Sequence, residues 1–521
     1  MPISRFRIQR RQFLRQAGAT LLVGVLPPRL LQAYDSSFKS NPFSLGVASG
    51  YPTSDGIILW TRLLLRRDDG SDALADTAIP VALQIATDEA MKAIVHKSEH
   101  VATSEWAHSI HAEVKGLKPG RDYWYRFTAG GMQSRIGRTR TAPAATDKPE
   151  RLRVAVACCQ KYENGYFVAY RHLLDDSPDL IVHVGDYIYE YGSSAGGNNV
   201  RGDNSGETHT LTDYRQRHAL YKADADLQAA HAAHPWLLTW DDHEVTNDYA
   251  GDSTYDASGE SVLRRRAASY RAYYEHMPLP RSARPNGASM RLYADITYGN
   301  LVQIQMLDTR QYRSPLGCLG ESDTGGPGAH CAALFNESRT KIGKEQEAWL
   351  TRSLAGTKAR WNVIAQGTPM AHVDLDYGPD VAYRRDAWDG YPAARQRVLD
   401  MLANHKVSNP IVVDGDIHAF QVANLNRYAN KLDSPIIASE FTADSITSGG
   451  GGPGRLEQNR LNNPNLLFND NRLRGYLTLE FSTKELRANL VNVESITQPD
   501  AGRSLLASFV VEHGKAGPVK A

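Results

Sequence analysis

Several scarcities bound this 521-residue chain before any motif is read. Net charge is almost absent: 59 Lys and Arg stand against 58 Asp and Glu, a formal +1. That balance supplies no bulk electrostatic pull toward nucleic acid or an anionic membrane. Cysteine is rare, with four copies, which excludes a disulfide-stapled scaffold. Phenylalanine is outnumbered by tyrosine, 12 to 25, so many of the rings keep a polar tip for a surface or cleft. Long apolar runs are missing as well. The charge-free stretch at residues 17–26 would rise only about 15 Å as a helix, roughly half of a bilayer core. No segment is therefore read as membrane-spanning. No internal repeat is visible. The length gives a soft prior of about three domains.

The short apolar run has a different meaning at an N-terminus. Arg10-Arg11-Gln12-Phe13-Leu14-Arg15 precedes it, and paired arginines ahead of a brief apolar core read as a twin-arginine export signal. Residues 1–33 are taken as that signal, with cleavage near Ala33. The translocase is then a partner, and the mature protein, read as a monomer, is placed in the periplasm or outside the cell. Export of an already folded protein suits one that must be loaded with a cofactor first. Cys318 and Cys331 bracket a Gly-rich loop, which allows either a disulfide or two free thiols. Cys158 and Cys159 are adjacent, a spacing that strains a mutual disulfide.

Two patterns follow one another along the rest of the chain. Residues 42–143 read as an all-β domain, with short β-rich runs at 57–61 and 81–86. Leu117-x-Pro119-x-x-x-Tyr123 looks like the corner of a fibronectin type III-like sandwich. Beyond a small, polar stretch at 142–148, strands and helices alternate over 150–510. Strands are expected at 152–158, 180–184, 237–240, 301–307, 361–366 and 410–413. Helices are expected at 168–174, 213–233, 344–354 and 393–404. A hairpin closes the domain at 475–482 and 486–493, and long Gly- and Asn-rich loops fill 191–209 and 449–469. This is an α/β signature.

In α/β sheets ligands bind beyond the carboxyl ends of the strands, and four such ends carry metal-competent groups. They are Ala157-Cys158-Cys159-Gln160, Gly185-Asp186-Tyr187-Ile188-Tyr189, Trp240-Asp241-Asp242-His243-Glu244 and Asp414-Gly415-Asp416-Ile417-His418. A carboxylate at the mouth of a buried strand is costly unless a positive charge compensates it. Asp186 and Tyr189, three apart on one turn, can offer two hard oxygens to one point, which suggests a trivalent metal. Taken singly, each motif also fits a turn, a helix start or a buried thiol. All four in this order point to a metal-assisted hydrolase.

As a set these motifs resemble the PhoD-type alkaline phosphatases and phosphodiesterases of the calcineurin-like metallophosphoesterase superfamily. The resemblance rests on Cys159-Gln160, Gly185 to Tyr191, Asp241-Asp242-His243-Glu244-Val245, Gly415-Asp416-Ile417-His418, and the Ser439-Glu440-Phe441-Thr442 and Ser448-Gly449-Gly450 segments. It implies a four-layer αββα sandwich behind the N-terminal β domain, and a centre of ferric iron and calcium. By matching motifs, Asp186 would bridge the metals, Cys159, Tyr189 and His418 would surround iron, and Asp242 and Asp416 would face calcium, which takes oxygen ligands. The implied chemistry is in-line attack of a metal-activated hydroxide on a phosphate mono- or diester. His243 is assigned to the leaving oxygen and Asn247 to the phosphate. Arg310 either binds anionic substrate or pairs with Asp308. A phospholipase D-like diesterase and a non-catalytic cell-surface binding protein are the competing readings.

Overall fold

The protein is described from a computed structural model that covers residues 38–66, 72–74, 76–194, 199–254, 257–317, 332–376, 381–429, 431–450 and 453–521. The export segment and the Cys318/Cys331 pair lie outside these residues.

Three sheets organise the described residues. At the centre of the largest, Arg151–Ala157, Leu180–His183 and Pro235–Leu238 run parallel. The hairpin of Arg474–Ser482 and Glu485–Val493 joins one flank. On the other flank Val47–Gly50 pairs parallel with Pro235–Leu238, and Gly56–Arg62 and Ser109–Lys115 follow. Three strands of the N-terminal β region thus extend the sheet of the second half to ten strands. Gly50 permits the junction. A Cβ there would lie 2.7 Å from the carbonyl oxygen of Pro278 and 2.8 Å from that of Trp236. The second sheet of the N-terminal sandwich is built around Ile79–Ala86 and Asp122–Ala129. Its Val81, Leu83, Ile85, Tyr125 and Phe127 share a core with Ile57, Leu59, Ile110 and Ala112. The expected corner is present: Tyr123 is buried, and its hydroxyl accepts from Lys118 N–H at 2.8 Å.

A seven-stranded sheet is parallel through Val302–Met306, Trp361–Ala365, Pro410–Asp414 and Ile436–Thr442. Side chains alternate across a strand, and these strands use both faces. Ile411 and Val413 join Val154, Ile181 and Leu477 of the large sheet in one core. Val412 points the other way, onto Leu350, Val398 and Leu402 of the helices Gly343–Gly356 and Pro392–Asn404. Helices Val168–Asp175 and Ala225–Ala233 lie against the ten-stranded sheet. The result is the four-layer αββα arrangement.

Two local readings change. The single helix expected over 213–233 is two, Leu211–Lys222 and Ala225–Ala233. The break falls at Asp224, whose carboxylate accepts from the N–H groups of Asp226 and Leu227 and starts a new helix. The loop expected over 449–469 contains the helix Pro453–Asn462. The helix Glu260–His276 was not anticipated. Its buried face carries Arg266, Ser269, Glu275 and His276, which hide the apolar period.

Because the halves share a sheet, calorimetry is expected to show one cooperative transition. Tyr123→Phe, which removes the acceptor of the part-buried Lys118 N–H, should lower the unfolding free energy by about 0.5–1.5 kcal/mol. A separate low-temperature endotherm for the N-terminal region would contradict the shared sheet.

Candidate metal centre

The carboxyl ends of parallel strands from both large sheets meet at one place. Arg151–Ala157 leads into Cys159, Leu180–His183 into Asp186, Pro235–Leu238 into Asp242 and His243, and Pro410–Asp414 into Asp416 and His418. The backbone is unusual at these turns. Cys159, Asp186, Asp416 and His418 adopt φ of 55°, 56°, 69° and 51°, a left-handed conformation that non-glycine residues avoid and that concentrates at functional sites. Gly185, at φ +121°, allows the Asp186 turn to touch the Asp241 turn, since a Cβ there would lie 2.4 Å from Asp241 Cβ.

Three overlapping groups result, each with ligand atoms mutually within 4.8 Å: Cys159, Asp186 and His418; Asp186, Asp242 and His243; and Asp241, Asp242 and Asp416. Tyr189 belongs with the first. Its hydroxyl is 2.9 Å from Asp186 Oδ2, 3.0 Å from His418 Nε2 and 2.7 Å from Ser448 Oγ. His418 Nδ1 lies 2.7 Å from the Gly449 carbonyl oxygen. That carbonyl takes the Nδ1 proton and leaves the Nε2 lone pair facing the cluster. Burial pulls His418 down to about 4, so the imidazole is neutral. The donors fit a cation pair. Asp186 Oδ1 and Asp242 Oδ1 are buried without a hydrogen-bond partner, and Asp186 belongs to both adjoining groups. Thiol, phenol, imidazole and carboxylate on one side suit a transition metal, and carboxylates alone on the other suit a hard cation.

Several residues that hold this arrangement were not singled out in the sequence. Glu244 accepts from the N–H groups of Asp186, Tyr187 and Asp241 and so ties two strand-end turns together. Glu190 accepts from His243 at 2.7 Å and from Asn247 N–H at 2.7 Å. The partner of His243 is therefore Glu190. Burial opposes charge on His243, but the carboxylates of Asp242, Glu190 and Asp186 outweigh it and raise the imidazole well above its usual range. Asn247 reaches the cluster through its backbone, and the residue is exposed. Arg310 neither reaches out to solvent nor pairs with the Asp308 side chain. It forms a bidentate pair with Asp241 at 2.6 Å to each oxygen and bonds Asp386 at 2.7 Å. Asp308 instead caps the backbone of Arg310 and Gln311. Burial pushes Asp242 up, but Arg310 and His243 pull it down to about 2.

Comparison with known proteins agrees with this geometry. The family described as PhoD-like phosphatase matches residues 154–490, and its N-terminal domain matches residues 29–143. The chain belongs to the PhoD-like phosphatase family. It is 42% identical to alkaline phosphatase D of Bacillus subtilis (strain 168) over 524 aligned positions, covering 98% of this chain and 88% of that protein. It superposes on a solved structure of PhoD with a TM-score of 0.89 at 42% identity, covering 93% of each chain.

In this PhoD-like phosphatase Arg310 is the cation on which the carboxylate cluster rests. Arg310→Met is expected to cost about 3–5 kcal/mol, because Asp241 and Asp386 lose a buried partner. The readout is the urea unfolding midpoint. An unchanged midpoint would show that these carboxylates are compensated elsewhere.

Proposed function

We propose that this PhoD-like phosphatase hydrolyses phosphate mono- or diesters at a centre that takes ferric iron beside Cys159, Asp186, Tyr189 and His418, and calcium beside Asp186, Asp242 and Asp416. The observation that carries the reading is the convergence of a thiol, a phenol and a neutral imidazole on a carboxylate, Asp186, that also belongs to the group with Asp242. Family membership supports the hydrolytic activity. Export after folding, through a twin-arginine signal at residues 1–33, would place the loaded enzyme in the periplasm or outside the cell. No helix among the described residues is long and apolar enough to cross a membrane.

Bound cations would supply Lewis acidity at the phosphoryl oxygens and a water of low pKa. The chain's own residues do the rest. Glu190 fixes the ring orientation of His243, which stacks on Tyr189 with centroids 4.2 Å apart. The proton on His243 is available to the leaving oxygen. Arg310 neutralises Asp241 and Asp386 and leaves Asp186, Asp242 and Asp416 free to bind cations. Glu244 holds the Asp186 and Asp241 turns at a fixed separation.

Two outcomes test this reading. Thiolate and tyrosinate on ferric iron absorb visible light, so natively exported protein should be coloured and Tyr189→Phe should remove the tyrosinate part of the band. A colourless, fully active enzyme without iron would overturn the iron assignment. A general acid works in its protonated form, so activity should fall as pH rises through the His243 pKa. Glu190→Gln removes one of the charges that raise it. The alkaline limb of kcat/KM should then move to lower pH, by roughly one unit. A limb that stays in place would remove His243 from the proton transfer.

A further inference from the structure

The mouth of the centre carries a cation that the chemistry above leaves unused. Lys161 follows the Cys159-Gln160 turn, and its backbone is held against the 447–448 loop. Its N–H donates to Ser448 Oγ at 3.2 Å, and its carbonyl accepts from Thr447 Oγ1 at 2.7 Å. The backbone is therefore fixed relative to Tyr189, which Ser448 also touches. The residue is half-buried, and its ammonium stands 5.1 Å from the centre of the Tyr191 ring and 5.8 Å from that of Tyr189. The neighbouring guanidiniums are committed. Arg310 and Arg313 serve Asp386, Arg474 serves Asp444, and Arg217 serves the carbonyls of Tyr189 and Tyr191. Among the described residues, Lys161 Nζ has no carboxylate within ion-pair distance and no hydrogen bond.

Tyr191 gives this cation a direction. Its ring meets His243 edge-on, with centroids 5.4 Å apart and planes at 62°. The residue is 39% exposed. The Tyr191 ring therefore adjoins both the imidazole and the ammonium. In the proposed reaction His243 faces the leaving oxygen. The remaining atoms of the leaving alcohol then run along Tyr191 toward Lys161.

We propose that Lys161 and Tyr191 form a leaving-group subsite that selects phosphate esters of alcohols bearing a negative charge. The inference rests on the proposed placement of His243 on the leaving-group side. The phenol face supplies apolar contact, and the ammonium, a compact point charge, supplies the selection. The contact is partly open to water, so the selection is modest and weakens with salt.

The probes are 3-phosphoglycerate and glycerol 3-phosphate, which share a phosphoryl group and differ by a carboxylate on the leaving side. The metal-loaded protein should favour the first by roughly fivefold in kcat/KM, chiefly through KM. Added salt should shrink the ratio. Lys161→Met should bring it near one, and Lys161→Arg should largely keep it. A wild-type ratio of one or less overturns the subsite, as does an unchanged ratio in Lys161→Met protein of unaltered melting temperature. Calorimetric titration of metal-loaded His243→Ala with the same two esters reads affinity with turnover suppressed. A Lys161-dependent affinity gap with no hydrolysis by the wild type would keep the subsite and overturn the hydrolase reading. Equal affinities would overturn the subsite alone.

Discussion

Arg310 is fully buried, and the carboxylates of Asp241, Asp242, Asp386 and Asp416 all lie within 4 Å of it. One guanidinium cannot neutralise that many acids, and an ionised carboxylate in a dry interior is prohibitively costly without compensation. The architecture around it divides the load. Arg310 takes Asp241 and Asp386 at hydrogen-bond distance. Glu244 is held by backbone N–H groups, and Glu190 by His243. What is left over, Asp186, Asp242 and Asp416, is the part of the cluster that the proposed cations would neutralise.

The fold makes this concentration of charge possible. Parallel strands of two facing sheets end at the same level, so turns far apart in sequence can each deliver one or two metal-competent side chains to one place. The turns are short and the backbone is driven into left-handed conformations to aim the side chains. Such strain persists only when the surroundings fix it. Here Glu244, the close contact of Gly185 with Asp241, and the pairing of Cys159 N–H with the Gly185 carbonyl supply that constraint. The N-terminal β region adds to it by extending the ten-stranded sheet rather than hanging beside it.

The strand ends that carry Cys159, Asp186, Asp242 and Asp416 were legible because a buried apolar run stopping at a polar residue is a local signal. Six of the parallel strands were legible for the same reason, to within a residue or two at their ends, whereas Ile436–Thr442 was not expected. Glu244 and Arg310 were not legible in their roles. Glu244 looks like an acidic first-turn residue, and its partners are backbone N–H groups 57 and 58 residues away. Arg310 is 69 residues from Asp241 and 76 from Asp386, so nearby Asp308 was the natural partner to expect. Glu190 adjoins Tyr189, yet its pairing with His243 depends on two loops meeting in space. The sheet shared by the two halves escaped notice because Val47–Gly50 is only four residues long and its parallel neighbour lies far along the chain.

The most direct test is anomalous diffraction from crystals of natively exported protein, measured on either side of the iron absorption edge. The account predicts an iron peak enclosed by Cys159, Asp186, Tyr189 and His418, and a second, non-iron cation beside Asp242 and Asp416, with Asp186 touching both. A well-ordered active enzyme with no cation against Asp186, or with a single metal held away from Cys159 and Tyr189, would contradict it.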